Sequence, residues 1–284
     1  ITQFGFRAMI IGNQGTIYID PYGVGDLHNY IVFNKADFYA NNDLGYSCET
    51  NDSHFADDYH PNTETPAYRS NGVLRTYRAA FACSKEFTNT HCGGTQSGGL
   101  AKVVEVINRL NTIYERDLSI HLEMVANSID IVYTNTNTPP VAYSTSDHSA
   151  NNDANQTNVD TDIGSANYDV GHALTTVGGG LAWLGVFCNG NDLKAKGTSG
   201  TGGWSTGDPF MVDIVSHEVG HMLGAGHTFN SNAAGNCGPN RSETTAWEPG
   251  SGSTPMSYSG LCGGGHDIQS NSDDYFHSGS INQI

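Results

Sequence analysis

The stretch His-Glu-Val-Gly-His-Met-Leu-Gly-Ala-Gly-His at residues 217–227 decides the fold of this 284-residue chain. Residues four apart on an α-helix lie on the same face, so His217 and His221 can direct two imidazoles at one metal ion, with Glu218 beside them. A catalytic zinc ion has three protein ligands and one open position, and His227 can supply the third ligand. The pattern therefore predicts a zinc site in which Glu218 is the base that takes a proton from water.

The residues around this stretch fit a single helix over about 208–223. Asp208 suits the N-cap and Pro209 the first helical position. Gly224 permits the positive φ that ends a helix abruptly and turns His227 back toward the metal. The helix residues expected to face the core are Phe210, Ile214 and Leu223.

A second motif, Ser-Thr-Pro-Met-Ser-Tyr-Ser at residues 253–259, follows the third histidine. Together the two motifs resemble the metzincin clan of zinc metallopeptidases, in which a methionine-containing turn lies beneath the metal. The resemblance implies that Met256 packs under the three imidazoles without binding the ion, and that the substrates are proteins or peptides. Within the clan the chain is most similar to the adamalysin, or reprolysin, family, as a secreted member of bacterial type.

The resemblance also implies an α+β fold. The catalytic domain is expected at residues 71–284, with a mixed twisted sheet and the long active-site helix in an upper subdomain, 71–224. A small irregular lower subdomain would follow at 225–284. Residues 1–70 would form a separate small β unit with an acidic linker.

The N-terminal part has the pattern of a β-hairpin over residues 4–21, with a further strand at Tyr30–Phe33. Residues 36–68 contain seven Asp or Glu and no Lys or Arg, which is typical of an exposed linker. An extra piece of this kind resembles the inhibitory pro-segment of adamalysin-like precursors. The chain's own N-terminal segment is therefore expected to act as its inhibitor, with Arg69-Ser70 as the bond cut on maturation.

Cys48 has two interpretations. A thiolate is a strong fourth ligand for tetrahedral zinc, and Cys48 in that position would exclude the attacking water and keep the enzyme latent. The alternative is a structural disulfide between Cys48 and Cys188. The sequence leaves both open, because residues 46–50 contain no diagnostic latency motif.

The six cysteines are compatible with disulfides and an oxidising compartment. Cys83 and Cys92 are close enough in sequence to close a small loop. Pairing Cys237 with Cys262 would brace the segment around the zinc site. Because the chain starts at Ile1 without a signal peptide, we expect a leader to have been removed and the protein to be secreted.

The charge balance excludes some classes of partner. Twelve Lys and Arg against 29 Asp and Glu give a net charge of −17, which disfavours nucleic acid and anionic membranes as partners. No apolar run is long enough to cross a bilayer. The composition predicts a globular domain, which we expect to be monomeric.

Hydrophobic periodicity predicts the scaffold of the catalytic domain. A helix at 97–114 carries an apolar stripe of Leu100, Val103, Val104, Ile107, Leu110 and Tyr114. His172 is predicted to be a packed strand histidine rather than a ligand. The predicted strands lie at 73–81, 119–125, 129–133, 168–174 and 180–188.

Gly180, Leu181 and Ala182 resemble the Gly-Leu-Ala region upstream of the zinc helix in adamalysin-like enzymes. There an edge strand pairs with extended substrate, so backbone hydrogen bonds would bind peptides whatever their sequence.

Residues 145–164 are rich in the side-chain oxygens that Ca²⁺ prefers, but they match no calcium-loop motif. A solvated surface loop is the favoured interpretation, with a Ca²⁺ site as the alternative. The acidic residues concerned are Asp147, Asp153, Asp160 and Asp162.

Two positions complicate the family placement. Tyr258 matches the switch tyrosine of astacin-like and serralysin-like enzymes, which stabilises the oxyanion, although lining the substrate pocket would also explain it. Thr228 stands where adamalysins have an aspartate, which leaves pappalysin-like enzymes as competitors.

Two other functions compete with the peptidase. A catalytically silent binding or adhesion module would have a damaged site, whereas all the site residues are intact. A structural zinc protein would need a closed site of four ligands, and Cys48 is the candidate for closing it.

Overall fold

The computed structural model describes residues 2–13, 15–23, 25–38, 47–50, 73–190, 192–202, 207 and 210–284. The predicted N-cap Asp208, Pro209 and the Arg69-Ser70 bond lie outside the described residues, as does most of the predicted linker. The strands are β1 (Ala8–Gly12), β2 (Gly15–Pro21), β3 (Tyr30–Asn34), β4 (Arg75–Cys83), β5 (Ile120–Met124), β6 (Val170–Thr175), β7 (Gly179–Ala182) and β8 (Gly197–Gly200).

The larger sheet has the strand order β5-β4-β6-β8-β7. Its first four strands in this order are parallel, and β7 pairs antiparallel with β8, so the sheet is mixed. Strand β6 is buried along its whole length, as expected for a central strand covered on both faces. With the helices that cover it, this sheet confirms the predicted α+β fold.

Helices cover the sheet and connect its parallel strands. The longest, α3 (Gln96–Leu118), is capped by Thr95, whose side chain accepts a hydrogen bond from Gly98 N at 3.1 Å. Most of its predicted apolar stripe is buried in the core, but Val104 is only half-buried, and the core also includes Val106 and Ile113, which were not predicted. No helix among the described residues is both long and apolar enough to span a membrane. The helices are α1 (Lys35–Phe38), α2 (Lys85–His91), α3 (Gln96–Leu118), α4 (His148–Asp162), α5 (Ser216–Met222), α6 (Cys237–Asn240) and α7 (Ser278–Gln283).

The predicted zinc helix is α-helical only in its second half. Phe210–Val215 is a π-helix that runs directly into α5. Phe210 and Ile214 are buried in the core as predicted, and Leu223 is partly buried against it.

Two of the predicted strands need correction. The segment predicted as a strand at 129–133 instead lies largely in a 3₁₀ turn, Ser128–Ile131, in which Asp130 N donates to Asn127 O at 3.0 Å and Val132 N to Ile129 O at 3.2 Å. A short apolar run cannot distinguish a strand from a buried turn. The strand predicted at 180–188 ends at Ala182.

Residues 148–162 form a helix, so the predicted surface loop is wrong. Asp147 caps α4 by accepting a hydrogen bond from Ala150 N at 3.0 Å. The buried face of α4 is lined with amides that bond to neighbouring backbone, such as Asn155 Nδ2 to Ala195 O at 2.7 Å. The polar composition of residues 145–164 suggested a solvated loop, because composition alone does not show that these amides are buried. The Ca²⁺ alternative stays a prediction.

The N-terminal β-hairpin and third strand form a separate antiparallel sheet, β1-β2-β3, as predicted. This sheet packs on the polar face of α3. Arg7 forms ion pairs with Asp20 at 3.1 Å and with Glu105 of α3 at 3.0 Å, and the Arg109 guanidinium lies 5.7 Å from the centre of the buried Tyr18 ring. The polar face of α3 is therefore an interface.

A second contact joins the N-terminal sheet to the end of the chain. Lys35 Nζ lies 2.5 Å from Asp274 Oδ1 and 4.0 Å from Asp213 Oδ1, and the Thr16 hydroxyl donates to Asp274. Burial raises the pKa of Asp213 to about 7, against the lowering effect of Lys35.

Asp213 gives a testable dependence of stability on pH. Because its folded pKa of about 7 is above the unfolded value of 3.8, its contribution to stability is complete below pH 3.8 and is lost as the pH rises through about 7. We expect Asp213→Asn, which keeps the neutral form, to raise Tm relative to wild type by an amount that grows from about pH 4 to pH 7 and then levels off. Asp130→Asn, the same change at an exposed site, should show no such growth in thermal melts. An Asp213→Asn gain that is equal at all pH values would contradict the assignment.

The cysteines form one disulfide among the described residues, Cys237–Cys262, with a Cα–Cα distance of 5.3 Å. This pairing is the one predicted near the zinc site. Cys83 and Cys92 are both buried and unpaired, so the small disulfide loop predicted between them is absent.

Candidate active site

The three predicted histidine ligands converge on one point. His217 and His221 lie one turn apart on α5, and their Nε2 atoms are 3.0 Å apart. His227 Nε2 lies 3.1 Å from His221 Nε2. All three rings are buried, with at most 4% of any of them exposed.

Gly224 brings His227 to this point. Its φ of 111° is positive, which residues with a side chain rarely adopt, and the chain leaves the helix at this residue. Ala225 N donates to Gly220 O at 3.0 Å, which closes the turn. The predicted role of Gly224 is confirmed.

Backbone carbonyls fix which nitrogen of each ring carries the proton. The Nδ1 atoms of His217, His221 and His227 lie 2.6, 2.7 and 2.7 Å from the carbonyl oxygens of Pro255, Ala225 and Asn240. A carbonyl can only accept, so each Nδ1 must donate its proton. In a neutral ring, Nε2 then presents a lone pair.

The Nε2 atoms of His217 and His227 lie 3.0 and 3.1 Å from that of His221, so the three nitrogens can converge on one cation. Burial lowers the pKa of His217 to about 4 and that of His227 well below its usual value, so these rings are neutral at pH 7. Neutral imidazoles held by second hydrogen bonds are the usual ligands of Zn²⁺, at about 2.0–2.1 Å. The donor set therefore fits a zinc ion.

Cys48 is the fourth member of this group. Its Sγ lies 3.5 Å from His221 Nε2, and the four ligand atoms all lie within 4.8 Å of one another. Burial raises the pKa of the Cys48 thiol well above its usual value, and the charge of Glu218 adds to the rise, so ionisation requires a cation close by. Cys188 is exposed and unpaired, so the alternative disulfide between it and Cys48 is wrong.

Residues 47–50 hold Cys48 in place by pairing with the free edge of the large sheet. Gly180 of β7 donates to Ser47 O at 3.1 Å and accepts from Glu49 N at 2.9 Å. The Thr50 hydroxyl donates to Ala182 O at 3.0 Å and accepts from Ala182 N at 2.9 Å. Gly180, Leu181 and Ala182 therefore form an edge strand that binds an extended segment, here part of the chain itself.

Glu218 lies beside this edge strand, next to the three histidines. It is fully buried, and its Oε2 lies 3.4 Å from the Thr50 hydroxyl. A side chain at position 180 would collide with the Glu218 carboxylate, so the glycine allows the strand to approach it. Thr50 was not predicted as a site residue, since no motif marks it.

The methionine-containing turn lies beneath α5. Met256 is fully buried, and its sulfur packs so closely on Gly220 that a side chain there would collide with it. Tyr258 is also buried: its ring centre is 4.9 Å from that of His227, and its hydroxyl donates to Cys48 O at 2.9 Å. Tyr258 thus contacts both His227 and the segment 47–50 that covers the site.

His172, on strand β6, takes no part in the group. Its Nε2 lies 2.9 Å from Ser199 Oγ, and burial lowers its pKa to about 3, so it is a neutral core histidine as predicted.

Comparison with known proteins agrees with the geometry. A family model described as metallo-peptidase family M12B, reprolysin-like, matches residues 73–284, about three quarters of the chain. The chain belongs to the reprolysin-like metallopeptidases of family M12B. No curated protein matches it significantly. The match decides between the reprolysin-like and pappalysin-like alternatives, although Thr228 replaces the aspartate expected of a reprolysin-like enzyme.

Proposed function

We propose that this protein is a secreted zinc endopeptidase whose N-terminal segment keeps it latent. The observation that carries the proposal is the convergence of three imidazole Nε2 atoms, each ring oriented by a backbone carbonyl, beside the buried Glu218. A zinc ion bound there would polarise the scissile carbonyl and lower the pKa of a water molecule.

Glu218 is then the group that moves protons. It follows the first ligand in sequence but is separate from the metal-binding group of Cys48 and the three histidines. Its carboxylate can accept a proton from water and pass it to the leaving amine. Burial next to the edge strand brings the carboxylate close to the bond of any peptide that pairs with β7.

Strand β7 is the proposed substrate-binding edge. Its backbone N–H and C=O groups pair with residues 47–50 in this structure, and they would pair equally with an extended substrate once that segment leaves. A small cleft of about 60 Å³ lies beside His221 and His227 and is bordered by Leu184, Pro239 and Arg241. This cleft is the proposed pocket for a substrate side chain.

The latent state is proposed to depend on Cys48. Its sulfur occupies the position that the attacking water would need, and residues 47–50 occupy the substrate edge. The Tyr258 hydroxyl bonds the carbonyl of Cys48 in this state. Removal of the segment would free that hydroxyl to stabilise the oxyanion.

Secretion is supported by the Cys237–Cys262 disulfide, since such bonds persist in oxidising compartments. The acidic charge of −17 suits a soluble protein that we expect to act as a monomer on protein or peptide substrates.

A structural zinc protein is the second candidate, because Cys48 completes a closed group of four ligands. The two functions differ in what happens when the chain is cut between residues 50 and 73. An enzyme gains activity because the segment can leave, whereas a structural zinc protein gains none. The silent binding module is disfavoured because every site residue is intact.

Chelation tests the proposed function. We expect the purified chain, after limited proteolysis between residues 50 and 73, to cleave a denatured protein substrate. A zinc chelator should abolish cleavage and added Zn²⁺ should restore it, while metal analysis finds one Zn²⁺ per chain. Chelator-resistant cleavage, or a chain without stoichiometric zinc, would refute the proposal. Bound zinc without activity after the cut would favour the structural protein.

A further inference from the structure

Glu248 is a buried carboxylate that no sequence motif marks. Only 6% of the residue is exposed. Its Oε1 accepts hydrogen bonds from the hydroxyls of Thr228, at 2.5 Å, and Thr254. Its Oε2 accepts from the backbone N–H groups of Ser253, at 2.7 Å, and Thr254, at 3.1 Å. Both carboxylate oxygens are therefore satisfied by hydrogen-bond donors.

These donors belong to two segments that hold metal ligands. Thr228 follows the ligand His227 directly, and its backbone also pairs with Glu248 N at 2.8 Å and Met256 O at 3.1 Å. Thr254 precedes Pro255, whose carbonyl oxygen accepts the Nδ1 proton of His217 at 2.6 Å. One carboxylate thus fixes the main chain beside two of the three imidazoles.

We infer that Glu248 is a positioning residue of the metal centre: it holds His227 and the carbonyl that orients His217 in the geometry that binds the ion. The inference rests on the proposed function. Thr228 has no carboxylate of its own, and its hydroxyl donates to Glu248.

The arrangement is specific for glutamate. Alanine would leave four donors without this acceptor, three of them in buried hydrogen bonds, and each buried donor left unpaired is costly. Glutamine can still accept from the two backbone N–H groups, and the Thr228 and Thr254 hydroxyls can rotate to accept from its amide. Glutamine should therefore restore part of the function that alanine loses.

The test measures zinc affinity of the full chain by competition with a chelator. We expect Glu248→Ala to weaken Zn²⁺ binding about 10- to 100-fold, as for other outer-shell partners, and Glu248→Gln to fall between alanine and wild type. The visible spectrum of the Co²⁺-substituted protein should change in the same order, because it reports ligand geometry.

Asn111→Ala is the matched control for general destabilisation. Asn111 is buried, and its side chain makes two hydrogen bonds with the Leu122 backbone, at 2.8 and 3.0 Å, away from the metal centre. It should lower the Tm of the metal-free chain without changing zinc affinity or the Co²⁺ spectrum.

The outcomes distinguish failure of the proposed function from failure of the positioning role. Wild-type chain without stoichiometric zinc would refute the proposed function. Normal zinc binding by wild type, with Glu248→Ala and Glu248→Gln both within about threefold of Asn111→Ala, would overturn the positioning role alone. If Glu248→Ala fails to fold, the zinc affinity of Glu248→Gln compared with that of Asn111→Ala tests the positioning role.

Discussion

Replacing Glu218 by glutamine is expected to lower the kcat of the activated enzyme on a denatured protein by about 10²- to 10⁴-fold, with zinc content unchanged. Glutamine has the shape of glutamate but cannot take a proton from water at neutral pH. The carboxylate is fully buried beside Gly180, so bulk water cannot reach this position and act as the base in its place. Because Glu218 is not one of the four clustered ligands, metal binding should survive.

The comparison needs three measurements on the variant: turnover, zinc per chain and Tm. Glu123→Gln is the matched control, since it makes the same change at an exposed position on β5, at the opposite edge of the sheet from β7. It should behave as wild type. Wild-type turnover by Glu218→Gln would remove Glu218 from the proton-transfer role, and loss of zinc would show that it supports the metal instead.

The geometry around the histidines was predictable because it is local. His217, Glu218 and His221 lie within two turns of helix, and the positive φ of Gly224 follows from the residue type. Such features depend on helical periodicity and backbone sterics alone. The position of Met256 came from resemblance to a family and could not be derived from spacing.

Features that depend on distant parts of the chain were missed or predicted wrongly. The amides of α4 indicated a loop because their partners, such as Ala195 O, lie on other elements. Strand β8 was missed because Gly197–Gly200 is short and lacks the usual strand residues. The burial of the polar face of α3 was equally unpredictable. A glutamate such as Glu105 is normally exposed to solvent, and only the folded structure shows its ion pair with the distant Arg7.

The orienting carbonyls illustrate the same limit at the site itself. Pro255, Ala225 and Asn240 act through backbone atoms, which every residue has, so sequence carries little signal for them. Cys237 begins α6 and Asn240 ends it, so the disulfide to Cys262 braces the helix whose last carbonyl orients His227.

Replacing Cys48 by alanine in the uncut chain is expected to raise its peptidase activity about a hundredfold or more. Alanine removes the interaction between the sulfur and the cation, which is at least as strong as a charge-assisted hydrogen bond, about 3 kcal/mol, and each 1.4 kcal/mol corresponds to tenfold. The fourth position is then open to water. Residues 47–50 still pair with β7 through Gly180 and Ala182, so the activity should stay below that of the cut enzyme.

Cys188→Ala is the matched control for this experiment, because it removes an unpaired thiol that is exposed and takes no part in the metal group. It should leave the uncut chain as inactive as wild type, and mass spectrometry should verify that neither variant is cleaved during the assay. An uncut Cys48→Ala chain that stays silent until proteolysis would show that pairing along β7 is sufficient for latency. If Cys188→Ala raised the activity of the uncut chain equally, the activation by Cys48→Ala would not come from the loss of a metal ligand.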